Sequence, residues 1–121
     1  MENLTQLFSL LSDPTRLKLL ALLSYGERCV CKLHEPLGLQ QSAVSRHLML
    51  LRTAGVVSSH RVGTWIHYRL APELWKPEWK DSLPIAIESA VKQLTPAELK
   101  GTQCQTKLTS KSARSSKAIA G

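Results

Sequence analysis

No run of apolar residues in this sequence is long enough to span a membrane, and its first residues do not read as an export leader. Both absences predict a cytoplasmic protein with no membrane partner. Cysteine is scarce: three thiols, an odd number without an export signal, argue against a disulfide framework. No internal repeat is evident, and no Ser/His/Asp or paired-carboxylate constellation stands out, so no catalytic residue and no enzyme is expected. Carboxylates are missing from two stretches in particular. Residues 101–121 hold 4 Lys/Arg and no acid, whereas residues 1–100 hold 12 Lys/Arg against 9 Asp/Glu. The net charge of +7 therefore divides into +3 and +4. A basic balance permits nucleic acid as a partner and does not establish it. From Gly101 onward large apolar residues nearly vanish, so this stretch cannot bury enough surface to order itself. The expected organisation is one domain over 1–100 and a flexible basic tail over 101–121.

The second stretch without a carboxylate is Gln40–Gly55, QQSAVSRHLMLLRTAG. At about 100° per residue, Val44, Leu48 and Leu51 fall in one narrow sector, the signature of a helix with a core-facing stripe. Ser42, Ser45, Arg46 and Met49 point roughly the other way, with Gln41 and His47 on the flanks. Gly55 ends the helix, where a left-handed residue is usually wanted. An outward face of hydroxyls, an amide, an arginine and a histidine suits a DNA major groove. The same face also suits an ordinary solvated helix, and what surrounds it decides.

Ahead of it, residues 3–12 carry Leu4, Leu7, Phe8, Leu10 and Leu11 at helical spacing. Asp13-Pro14 follows as an N-cap and a first-turn proline. The next helix, TRLKLLALLSYG, has leucines around most of its circumference and belongs at the centre of the domain. A third helix is expected within Cys29–Leu37, kept short by Pro36, with Gly38-Leu39 turning into the helix described above. That is a helix-turn-helix plan. After Gly55 the period changes to two: Val56–His60 and Trp65–Leu70 read as strands around Arg61-Val62-Gly63-Thr64. This hairpin reads as a wing, with Arg61 at its tip able to reach a phosphate or the minor groove. Residues 72–82, with their prolines, Trp75 and Trp79, read as a connector. Leu83–Leu94 returns to helix, and Leu83, Ile87, Ala90, Val91 and Leu94 form an apolar face read, with the first helix, as a dimer surface. The expected class is mainly α with a β-hairpin, a homodimeric winged helix-turn-helix.

DPTRLKLLALL, ERCVCKL, QSAVSRHLMLLRTAGVV and GTWIHYRL, in this order and spacing, resemble the ArsR/SmtB family of metal-responsive repressors over roughly residues 5–94. The resemblance implies a homodimeric repressor on double-stranded operator DNA beside a resistance operon, leaving when a toxic metal or metalloid binds. Cys29-Val30-Cys31 resembles the CVC motif of the arsenic-responsive and cadmium/lead-responsive members. As(III) or Sb(III) is then the implied inducer, with no cofactor required for DNA binding. The arsenic-type motif continues to a third cysteine where this chain has His34, and the cap opening the recognition helix is often a serine where this chain has Gln40. The cadmium/lead type's extra N-terminal cysteines have no counterpart here. The zinc/nickel type's last-helix histidines are also absent: residues 83–94 contain Glu88 and no histidine.

Two thiols one residue apart suit a soft ion. On a regular helix they point about 200° apart, so Cys29 and Cys31 hold one ion there only if the first helical turn unwinds. That predicts a switch between a formed and a distorted third helix. Cysteine is also common as a small buried hydrophobe. His34, one turn from Cys31, is a further candidate ligand or else a surface or capping histidine. Cys104 is a candidate third thiolate or a free thiol. Gln41, Ser42, Ser45, Arg46, His47 and Arg61 are the candidate DNA contacts. Beside release by As(III)/Sb(III) stand release by Cd(II), Pb(II) or an organoarsenical, oxidation of the two thiols, and a DNA-binding module with no effector. A cysteine-dependent redox enzyme is disfavoured, because the spacing is CxC and no βαβ pattern surrounds it.

Overall fold

Asp13 begins the central helix as its sequence promises. Its carboxylate accepts hydrogen bonds from the amides of Thr15 (2.7 Å) and Arg16 (3.4 Å), with Pro14 in the first turn. The structure, a computed structural model, describes residues 1–101. In it α1 spans Glu2–Leu11 and α2 spans Pro14–Leu23. Leu19 to Leu23 are all buried, so α2 runs through the middle of the domain, packed against α1 and later helices.

A two-residue strand, β1 (Arg28–Cys29), and a 3-10 turn over Val30–Lys32 follow. Then come α3 (His34–Leu37) and α4 (Gln41–Thr53). The helix expected from Cys29 therefore starts only at His34. The physical reason is β1, which pairs antiparallel with a later strand, Arg28 opposite Tyr68 and Cys29 opposite His67. Cys29 is thereby committed to extended backbone. The four-residue α3 accommodates Pro36 because the missing N–H falls where a helix has no partner for it.

Both α3 and α4 end alike. Gly38 is left-handed (φ 68°), its amide bonds to the Glu35 carbonyl, and Leu39 reaches back to His34. Gly55 (φ 84°) bonds to Arg52, and Val56 reaches back to Leu51. Each is a 6→1 and 5→2 pair of bonds that closes a helix C-terminus on a residue without a Cβ penalty. Gln40 is the N-cap of α4 and makes no side-chain capping bond.

β2 (Val57–Val62) and β3 (Trp65–Leu70) form the hairpin, paired from Val57–Leu70 to Val62–Trp65, and β1 adds to the outer side of β3. A 3-10 turn at Pro72–Leu74 leads to α5 (Pro77–Val91) and α6 (Pro96–Gly101). The connector is thus shorter than its prolines suggest. Trp79, Leu83 and Ile87, spaced by four, are buried along one side of α5. The Trp79 indole also donates to the Asn3 carbonyl at 2.7 Å. Pro84 faces outward within the helix, so core burial outweighs its lost hydrogen bond.

The apolar face over residues 83–94 needs the same revision. Leu83 and Ile87 are spent in this chain's own core, and the large apolar residues left exposed on α1 and α5 are Phe8 (60%) and Ile85 (68%). α6 packs against α3 and opens with a reciprocal cap: Thr95 Oγ1 accepts from the Glu98 amide, and Glu98 Oε1 accepts from the Thr95 amide. Gly101 closes this helix. The rest of the expected basic tail, Cys104 included, lies outside the described residues.

Candidate nucleic-acid interface and thiol pair

α4 is fixed from behind and open in front. Val44, Leu48 and Leu51 are fully buried, while Gln41, Ser42 and Arg46 are exposed and Ser45 and His47 half-buried. Arg46 makes no side-chain hydrogen bond or ion pair among the described residues, so its guanidinium is available. Arg52, near the end of α4, donates to Ser59 Oγ of β2 at 3.2 Å and ties the hairpin to the helix.

His47 is not simply presented to solvent. Its Nδ1 lies 3.3 Å from Nη1 of Arg16, whose other donors hold the Leu10 carbonyl (2.7 Å) and the Ser9 carbonyl (3.3 Å) at the end of α1. Burial pushes the nearby Asp13 carboxyl up, but the amides of Thr15 and Arg16, with the Arg16 guanidinium, outweigh it. Its pKa lies below the ordinary carboxylate value. Neither Arg16 nor Arg52 is marked by its local sequence, since a strut between elements leaves no local pattern.

Arg61 is exposed but is not at the tip of the wing. It belongs to β2, opposite Ile66, because β2 continues to Val62 and the turn is only Gly63-Thr64. One rung further from the turn, where His60 pairs with His67, one oxygen of Glu27, Oε2, lies 3.3 Å from both His60 Nε2 and His67 Nδ1. This bridge binds both wing strands to the residue two before Cys29. It is illegible without the strand register.

Cys29 and Cys31 are joined as a disulfide, with Cα atoms 5.3 Å apart. The expectation of no disulfide framework meets a single local pair, whose separation of two residues restrains very little chain. The larger correction concerns geometry. Extended backbone at Cys29 followed by a 3-10 turn already brings both sulfurs together, so no helical turn has to unwind for that. Cys29 is buried and Cys31 half-buried, and Cys29 Sγ accepts from the Cys31 amide at 3.3 Å. Val30 and Leu33 beside them are in the core, and the 3-10 turn touches both α4 and β3. His34 Nδ1 lies 3.2 Å from the Leu39 carbonyl, across α3 in the turn before α4. Among the described residues no three His, Cys, Asp or Glu side chains are gathered to hold a metal ion. No helix among them is long and apolar enough to cross a membrane.

Helix, glycine turn, a second helix open on one face and a three-stranded sheet carrying a wing define a winged helix-turn-helix domain. Residues 13–59 match the model of the bacterial regulatory protein, arsR family. The chain is 37% identical to the transcriptional repressor SdpR of Bacillus subtilis over 67 residues, 55% of this chain and 74% of that one. It is 48% identical to the arsenical resistance operon repressor of Escherichia coli over 75 residues, 61% of this chain and 62% of the relative. The match thus spans about three-fifths of that relative's length. Among solved structures it resembles reduced HlyU from Vibrio cholerae, with a TM-score of 0.61 and 27% identity over 73% of this chain and 88% of that one. The chain belongs to the ArsR family of bacterial regulatory proteins.

Proposed function

We propose that this protein is a homodimeric, cytoplasmic repressor that holds the operator of an arsenic-resistance operon and leaves it when As(III) or Sb(III) is bound by Cys29 and Cys31. The observation that carries the reading is the position of the two sulfurs. They meet on the segment that leads, through buried Leu33 and the short α3, directly into α4. In the dithiol form both are thiolate donors of the soft kind that a thiophilic ion prefers. The name of the Escherichia coli relative supports the same inducer class.

The chain's own residues supply the coupling. Ligation alters the spacing of Cys29 and Cys31, and the backbone of 29–31 adjusts. Leu33, the 3-10 turn and the His34–Leu39 contact pass that adjustment to α4. A ligand that binds the low-affinity arrangement better shifts the population away from DNA. Gln41, Ser42, Ser45, Arg46 and His47 meet the major groove, Arg61 meets the backbone, and DNA binding needs no cofactor. Phe8 and Ile85 are the apolar residues available to a second copy. Cys104, three positions beyond α6, is the candidate third thiolate, whereas His34 is engaged at the Leu39 carbonyl and is the weaker ligand.

The disulfide favours a second reading for the same pair. An oxidant that takes two electrons and two protons from the dithiol would drive the same segment.

The test is operator binding by fluorescence anisotropy, titrated with As(III), methylarsenite, Sb(III), Cd(II), Pb(II) and a disulfide oxidant, for wild type, Cys29→Ser, Cys31→Ser and Cys104→Ser. Release by As(III) that is lost in the first two variants is the expected result. Release by Cd(II) or Pb(II) alone would replace the inducer, and release by the oxidant alone would select the second reading. Operator binding indifferent to every agent would leave a DNA-binding module without an effector.

A further inference from the structure

A cavity of about 410 Å³ lies where the residues after α2, the last residue of β3 and one side of α5 meet. It shares no lining residue with the thiol pair or with the open face of α4. Ile85, the α5 residue available to a second copy, is not in its wall either. The volume falls within the range of about 300–1,000 Å³ in which proteins hold small molecules. Leu70, Ile87 and Val91 give the cavity apolar walls, and buried Trp75 and half-buried Tyr25 add two aromatic rings. The Trp75 indole donates to the Val56 carbonyl at 2.9 Å, which holds that ring in place.

Three of the lining side chains are polar, and they differ in what they have left to offer. Ser24 Oγ already donates to the Ala21 carbonyl at 2.6 Å. The Tyr25 hydroxyl and the Glu88 carboxylate make no hydrogen bond or ion pair among the described residues, and Lys92, one turn beyond Glu88, does not pair with it. No lysine, arginine or histidine lines the cavity, so Glu88 supplies the charge in its wall.

That inventory selects a ligand. A neutral apolar molecule seated here takes water from Glu88 and returns nothing, and an anion meets it with like charge. A metal ion finds one carboxylate where it needs several donors. An ammonium group on an apolar body suits every surface. Its charge meets Glu88, aromatic rings attract cations, and its body covers the aliphatic walls. We infer that this cavity binds a small organic cation, an amine or quaternary ammonium on an apolar body, with Glu88 taking the charge and Tyr25 and Trp75 flanking it. The inference goes beyond the repressor reading and depends neither on the operator nor on the inducer.

The experiment uses the full chain without DNA. Isothermal titration is run with benzyltrimethylammonium, its uncharged isostere neopentylbenzene and the anion 3-phenylpropionate, on wild type, Glu88→Gln, Glu88→Lys and Tyr25→Leu. Amide and indole resonances are followed in parallel. Wild type is expected to bind the cation with a Kd below about 1 mM and about tenfold more tightly than either other probe, with shifts centred on Tyr25, Trp75 and Glu88. Glu88→Gln should lose about tenfold for the cation and nothing for the neutral probe, and Glu88→Lys should turn the preference to the anion. Tyr25→Leu should lose about threefold for the cation. Glu88 is exposed, so both of its variants keep the fold, which their thermal unfolding verifies. Equal affinity for the cation and the neutral probe overturns the inference, as does a Glu88→Gln variant that binds the cation like wild type. Absence of binding by every probe overturns it too. So does binding that appears only on dilution to monomer, which would make a second copy the occupant.

Discussion

α4 and the ten residues before its turn, 28–37, differ in almost every respect. The helix is one regular element of thirteen residues with three fully buried anchors and a closed C-terminus. Residues 28–37 pass through a strand, a 3-10 turn and a four-residue helix. The contrast matches the two tasks proposed above. A surface that reads a groove needs side chains at fixed spacing, which a well-anchored helix supplies. A dithiol site needs two sulfurs on one side, which a regular helix forbids at a spacing of two and an irregular backbone permits. The domain thus places its least regular segment directly upstream of its most regular one.

Four measurements break or sharpen that contrast, in falling order of effect. Leu48→Ala should cost about 3 kcal/mol of unfolding free energy, since Leu48 is sealed in the core. Leu37→Ala, in the half-buried α3, should cost well under half as much; equal losses in denaturant titrations would deny that α4 is the firmer element. Arg46→Ala should leave stability alone and weaken operator binding about tenfold, or about 1.4 kcal/mol, with a shallower salt dependence. Unchanged binding would return the open face of α4 to plain solvation.

Gly38→Ala tests the joint between the regions. A Cβ there meets nothing within 4 Å, so the cost is purely that of a left-handed alanine, about 1 kcal/mol in thermal unfolding. A neutral result would mean that the turn relaxes freely. The smallest effect belongs to Glu98, whose helix buttresses α3. The Thr95 amide and the Lys18 ammonium, 2.9 Å away, hold its carboxyl below the ordinary value despite burial. A depressed native pKa stabilises above the unfolded value of about 4.5 and loses that contribution as pH falls through the native one. Glu98→Gln should therefore cost under about 1 kcal/mol near neutrality. The deficit should shrink on acidification, and a deficit constant with pH would refute the charge-based account.

Much of this architecture was legible in the chain because it depends on local signals. Asp13-Pro14, the leucines of α2 and the Val44/Leu48/Leu51 stripe each carry their own periodicity or cap. What stayed hidden depends on partners distant in sequence. β1 is too short to show a period and exists because Tyr68 and His67 lie alongside it. α5 begins well before Leu83 because Trp79 finds a buried place against α1, which outweighs the prolines. The cap of α6, Thr95 with Glu98, has the Thr-x-x-Glu spacing of a reciprocal cap but is masked by the polar composition that follows. In the candidate site, the helix face followed from its own periodicity, whereas the meeting of Cys29 and Cys31 required knowing that one of them lies in a strand.

The Arg16–His47 contact has a consequence for what α4 can say to a base pair. A guanidinium has hydrogens to give and no lone pair to receive with. His47 Nδ1 must then be the acceptor at 3.3 Å, which puts the neutral ring's proton on Nε2. Whatever lies in front of the ring meets an N–H. Arg46 beside it also offers only hydrogens, so this pair of neighbours speaks to oxygen and nitrogen lone pairs alone. The vocabulary of that half of the helix is fixed by an arginine on a different helix, one that need never touch DNA.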